Sequence, residues 1–122
     1  MKNTHTLLVC LFLFNTMSSF AQRVKILECE NIKYYHVYKV FDFDKKDTLI
    51  MLSSKNDIEF KIFKLNINKC YEIKTRFKSA IKISKEEYLF CKPTIIVIEK
   101  VTISNKGTLP ILIENYKEIN HI

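Results

Sequence analysis

The chain has 122 residues, a formal charge of +7, 48% hydrophobic and 27% charged residues, one glycine and no tryptophan, which is enough for a single compact core and too little for two. With Gly107 the only glycine, a glycine-rich phosphate cradle is excluded, and without a Cys-x-x-C pair neither a thioredoxin-type redox motif nor a zinc knuckle is indicated. Only two of the 20 basic residues are arginine, so the basic surface suits solvation better than bidentate recognition of phosphate or carboxylate.

Lys2, the apolar block over residues 7–14 and the small residues Ser19 and Ala21 have the layout of a secretory signal, with cleavage expected after Ala21. The apolar block is far shorter than the roughly 20 residues a membrane span requires. Val9, which precedes Cys10, is too large for a lipid-attachment signal. Processing would leave one domain, residues 22–122, of about 100 residues, and loss of Lys2 takes the charge from +7 to +6. Cys29, Cys70 and Cys91 remain, in a compartment that permits disulfides. Cys70 with Cys91 is the expected pair, because Cys29 lies near the new N-terminus; closing that loop is worth about 3 kcal/mol. Three partly buried free thiols are the alternative.

Residues 22–31 show no clear period. From Lys33 to Phe43 the chain alternates, with Tyr35, Val37, Phe41 and Phe43 on one parity and Tyr34, His36, Tyr38 and Val40 on the other, which predicts a long strand. Asp44, Lys45, Lys46 and Asp47 form a hairpin break before a second strand at residues 48–52. Residues 58–65 fit either a strand or a short helix capped by Asp57, with strand favoured by two Phe and two Ile. Residues 70–77 alternate most cleanly, with Tyr71, Ile73, Thr75 and Phe77 opposed to Glu72, Lys74 and Arg76.

Ser84 and Glu87 have capping-box spacing for a short helix. Residues 92–103, β-branched at eight of twelve positions, predict one buried central strand running into a turn at Gly107. Residues 109–113 return as a last strand, which Pro110 assigns to a sheet edge, and residues 114–122 are expected to be a loosely held tail.

These elements predict a mainly β fold: a small antiparallel barrel of five or six strands with at most one short helix, or alternatively a β-sandwich. The order, with a break at residues 78–87 where a helix would sit, resembles an oligonucleotide/oligosaccharide-binding (OB) barrel. Ala21-Gln22 at the signal end, Tyr35-His36-Val37-Tyr38 and Cys70-Tyr71-Glu72-Ile73 also resemble small exported bacterial proteins, a likeness that implies no function.

Catalytic groups are scarce. After processing only His36 and His121 remain, and only His36 lies inside the expected fold. Asp42, Asp44 and Asp47 lack calcium-loop spacing and are interrupted by Lys45 and Lys46, so neither metal nor cofactor is expected. On a barrel strand that buries one parity, Tyr34, His36 and Tyr38 point outward beside Lys39 and form the expected binding face. The predicted function is an exported, non-enzymatic binding module, periplasmic or secreted, for an envelope protein or polymer rather than nucleic acid. The alternatives are a small secreted enzyme inhibitor, presenting a disulfide-clamped loop over residues 78–92, and a small hydrolase.

Overall fold

The computed structural model describes residues 22–55, 61–91, 95–105 and 107–120. The expected signal segment, Ile58 to Phe60 of the ambiguous 58–65 stretch, Lys92 to Thr94 and His121 lie outside them. Among the described residues nine strands follow in order: β1 Gln22–Asn31, β2 Tyr35–Asp42, β3 Asp47–Ser54, β4 Cys70–Phe77, β5 Ala80–Lys82, β6 Tyr88–Phe90, β7 Ile96–Ile98, β8 Val101–Ile103 and β9 Ile111–Ile119. Five of them close a barrel in the order β1-β2-β3-β9-β4, and the other four form two small hairpins. The fold is thus the small, mainly β barrel expected from the alternation, and the described residues contain no helix.

Closure depends on β1. Its first residues pair with both neighbours, Val24 facing Asp42 on β2 and Tyr71 on β4. A bulge between Ile26 and Glu28 adds one residue and reverses the parity of the strand, which is why residues 22–31 show no period. At the far end of β2, the Asp42 carboxylate is buried. It accepts hydrogen bonds from Gln22 Nε2 at 3.0 Å and from the backbone N–H groups of Asp44 and Lys45 at 2.9 and 3.1 Å, pinning the β2–β3 turn to the start of β1. Asp44 instead pairs with Arg23 at 2.6 Å on the open surface.

The barrel wall is covered on both sides, and this accounts for the apolar residues on both parities of β2. Tyr38, Val40, Met51, Tyr71, Ile73, Ile111 and Ile113 fill the interior with Val24 and Ile26. The opposite parity packs into a second core outside the barrel: Val37, Leu52 and Leu112, neighbours across three strands, meet Ile81, Ile96, Ile98, Val101 and Ile103. The covering residues all come from the long insertion between β4 and β9. Its two ends meet where Lys78 N–H donates to Pro110 O at 2.8 Å.

Several expectations are corrected here. The central strand at residues 92–103 is a tight hairpin, β7–β8, because Glu99 and Lys100 adopt φ of 51° and 72°, the double left-handed geometry of a type I′ turn. The turn reverses the chain so that Ile96, Ile98, Val101 and Ile103 are buried together. The Glu99 carboxylate then accepts the Lys33 backbone N–H at 2.8 Å, fastening the tip to the β1–β2 loop. Ser84 to Glu87 make no helix: Ile83 N–H donates to Glu87 O at 3.0 Å and closes the β5–β6 turn. β9 is no edge strand. Pro110 stands just before its first residue and removes no ladder donor. The expected tail forms most of this nine-residue strand, which pairs with β4 along its length. The barrel is also not wholly antiparallel, since β3 and β9 run parallel at Met51–Ile111 and Leu52–Leu112.

β3 extends beyond its short pairing with β9, and a side chain completes the ladder there. Asn105, only 4% exposed, accepts the Ile50 N–H on Oδ1 at 2.7 Å and donates from Nδ2 to Ile50 O at 2.8 Å. Its amide thus stands in for a strand partner, and Asp47 Oδ1 accepts the next outward N–H, that of Thr48, at 2.8 Å. Both groups close a strand edge that would otherwise be open to pairing.

At one mouth of the barrel the link between β3 and β4 is strapped down by hydroxyl groups. Tyr38 Oη and Ser53 Oγ lie 2.7 Å apart; Ser53 donates to Phe63 O at 3.1 Å and Tyr38 accepts the Leu65 N–H at 3.0 Å. Tyr71 Oη accepts the Asn66 N–H at 3.0 Å. Phe63 and Leu65 complete the interior.

Candidate interaction surface

The expected binding face does not survive burial. Tyr38 is fully buried, its ring inside the barrel and its hydroxyl in the strap network; burial pushes its pKa up to about 12. Tyr34 is buried in the second core, with Lys33 Nζ 5.5 Å and Lys82 Nζ 5.2 Å from its ring centre. His36 is half-buried at the mouth, and Lys39 alone of the four is exposed. The parity assignment was reversed: Tyr38 and Val40 face inward, while Tyr35 and Val37 face outward beneath the insertion. Phe41 and Phe43, beyond that cover, stack edge-on at 5.1 Å.

His36 Nδ1 lies 2.6 Å from Asn31 Oδ1, so the neutral ring carries its proton on Nδ1. Burial holds its pKa below the ordinary histidine value, and Lys55 and Lys64 add to the effect. Cys29 lies on the neighbouring strand, opposite Tyr38, beside a cleft lined also by Asn31, Lys64 and Ile67. The Cys29 thiol contacts the Glu30 carbonyl at 3.9 Å rather than the imidazole, and burial pushes its pKa up. Both effects oppose the thiolate that nucleophilic chemistry needs. Among the described residues, no group of three or more His, Cys, Asp or Glu side chains could hold a metal ion.

The expected Cys70–Cys91 disulfide is also corrected: Cys29, Cys70 and Cys91 are all free. Cys70 begins β4, whereas the Cys91 N–H bonds Ser79 O just beyond the other end of that strand at 2.7 Å. The seven residue-to-residue steps of the eight-residue β4 separate those ends by about 23 Å, and bridged cysteines need Cα atoms within about 7 Å. The inhibitor reading therefore loses the clamp on its loop.

A different surface emerges on the insertion. In the β5–β6 hairpin Ala80 faces Phe90, Ile81 faces Leu89 and Lys82 faces Tyr88. Ile81 and Leu89 turn into the second core, so period-two alternation sends Tyr88 and Phe90 to the other side. Phe90 is 82% exposed, Tyr88 47%, and Phe77 at the end of β4 60%. Phe77 and Tyr88 line a cleft of about 340 Å³ with Arg76, Lys78, Ser79 and Ala80. Glu114 on β9 fixes one wall by accepting the Arg76 Nε–H at 2.9 Å. Three exposed aromatic rings beside basic side chains form a lip suited to binding, since exposed apolar clusters mark interaction sites more often than single exposed residues do. The triplet Tyr88-Leu89-Phe90 carried this signal in the sequence, but which parity faced out depended on a second core that only the fold reveals.

Comparison with protein-family models, curated proteins and solved structures finds no match. Among the described residues, no helix is long and apolar enough to cross a membrane.

Proposed function

We propose that this chain is an exported, non-enzymatic binding module that engages a partner through the aromatic lip of Phe77, Tyr88 and Phe90. The observation that carries the reading is the 82% exposure of Phe90 on a hairpin whose other face is fixed in the second core. A side chain of that size left in water forgoes about 2 kcal/mol of burial, and binding recovers it. Export is supported by the basic, apolar and small-residue layout of residues 1–21.

Two measurements test the proposal. Expressed from the full sequence in bacteria, the protein should appear outside the cytoplasm with Gln22 as its first residue; cytoplasmic retention with residues 1–21 intact would remove the export half. A photo-crosslinking amino acid at position 90 should trap a discrete partner in the cells that make the protein. The same probe at exposed Lys117 on β9 should trap none. Equal crosslinking at both positions would remove the lip as the binding site.

A further inference from the structure

We infer that the partner binds as an extended strand of protein, laid antiparallel along the open end of β4 so that its apolar side chains cover Phe77. This rests on the binding reading above and adds the class of partner and its mode of attachment.

β4 is one neighbour short at its far end. β1 begins at Gln22, opposite Ile73, so among the described residues Lys74–Phe77 pair with β9 alone. Exposure follows the loss of cover: Ile73 is 1% exposed and Phe77 60%. Hydrogen-bond parity identifies the groups left over. Ile26 N–H donates to Lys69 O and Lys78 N–H donates to Pro110 O, so odd-numbered residues of β4 turn their backbone groups toward β1 and even-numbered ones toward β9. The bulge between Lys74 and Thr75 falls on β9, where Glu114 is skipped in the register, and the alternation of β4 continues unbroken. Thr75 and Phe77 therefore present N–H and C=O groups, about 6.8 Å apart, to a side where no described strand lies. On β3, Asn105 and Asp47 answer the comparable groups. Here Gln22 Oε1 accepts the Thr75 hydroxyl at 3.1 Å, not its N–H.

An exposed ring does not by itself distinguish a sugar from a side chain; the backbone groups do. Donors and acceptors repeating at strand spacing are answered in register by another polypeptide backbone. Antiparallel to β4, the added strand continues the line of β1 and reaches the cleft that Phe77 shares with Tyr88. Its residues opposite Thr75 and Phe77 lie on the same face as the Phe77 ring, so apolar side chains there cover it. The residues between them turn to the other face.

The test pans a phage-displayed library of random dodecapeptides against the purified exported protein. Selected peptides are synthesised with a single N-methyl group at each position in turn and measured by fluorescence anisotropy. Only every second N–H of an added strand points at β4, so N-methylation should weaken binding at least about tenfold at alternate positions and leave those between unchanged. Bound peptide should slow hydrogen exchange at the Thr75 and Phe77 amides, and leave Lys74 and Arg76, already paired with β9, as they were. Phe77→Ser should weaken binding about tenfold, as for loss of an interface anchor. Ile67→Ser, at an exposed apolar site on the barrel mouth, should change nothing, and matched melting temperatures confirm that each variant is folded.

Peptides lost with Phe77→Ser or Phe90→Ser but without an alternating N-methyl pattern would overturn strand addition and leave the lip standing. An alternating pattern with unchanged exchange at Thr75 and Phe77 would put the strand on another edge and overturn the inference. Peptides indifferent to Phe77→Ser, Tyr88→Ser and Phe90→Ser, or an unenriched library, would overturn the inference and the lip together.

Discussion

Replacing Asn105 with alanine tests the claim that a side-chain amide completes the β3 edge. The substitution removes two hydrogen bonds, to Ile50 N–H at 2.7 Å and from Nδ2 to Ile50 O at 2.8 Å. It leaves both backbone groups without a protein partner. An unsatisfied buried group costs about 1–3 kcal/mol. The neighbouring cleft of Lys39, Thr48 and Leu49 admits some water, which places the expected loss at about 2–4 kcal/mol. For a domain of this size each kcal/mol lowers Tm by about 4–8 °C, so Tm should fall by at least about 8 °C, read by circular dichroism. The Ile50 amide should lose hydrogen-exchange protection at the same time.

Asn105→Asp sharpens the test. The introduced carboxylate still accepts the Ile50 N–H but turns an acceptor toward Ile50 O. Burial and that repulsion raise its folded pKa above the unfolded value of about 3.9. The unfolded state therefore loses its proton first, so the deficit relative to wild type should be small below about pH 4 and should grow as pH rises through the folded pKa. A Tm within about 2 °C of wild type for Asn105→Ala, or a deficit for Asn105→Asp that is independent of pH, would refute the edge-closing role.

Other parts of the fold give further expectations. Tyr38→Phe strands the Leu65 N–H and breaks the link to Ser53; it should cost about 1–3 kcal/mol in urea unfolding and speed exchange of the Leu65 amide more than that of Val24. Lys100→Gly relieves a left-handed φ of 72° while keeping the Glu99 contact with Lys33. It should stabilise the protein by about 0.5–1 kcal/mol in the same assay. The depressed pKa of His36 means that the unfolded state takes up a proton first as pH falls below about 6.5. Stability should therefore decline on acidification from that point, and His36→Gln should flatten the slope. Because the three thiols are free, alkylation of the unfolded protein without reductant should label Cys29, Cys70 and Cys91 alike; protection of Cys70 and Cys91 would contradict the strand placement.

Much of the barrel was legible because its signals are local. Strict alternation marked β4, and the Asp44 to Asp47 break marked the β2–β3 turn. What the pattern concealed arose from long-range packing. The bulge in β1 erased its period, and a Glu-Lys turn without glycine or asparagine made two short strands look like one. Pro110 suggested an edge because its place one residue before β9 was not visible from the sequence. The candidate site failed for a related reason: alternation along β2 shows two faces, but it does not say which lines the barrel or that the other has its own cover. Tyr38 was therefore taken for a surface residue when its hydroxyl has two partners in the strap, Ser53 Oγ and the Leu65 N–H.

The place of β9 between β3 and β4 has a kinetic consequence. β3 and β4 are complete well before Ile111 leaves the ribosome, yet neither gains its other neighbour until β9 arrives. The nascent chain therefore stays an open ribbon through most of its synthesis and locks in a late, long-range step. A translocation channel that threads unfolded polypeptide would meet a chain not yet closed, and a product cut short before β9 would retain two adhesive strand margins prone to aggregation.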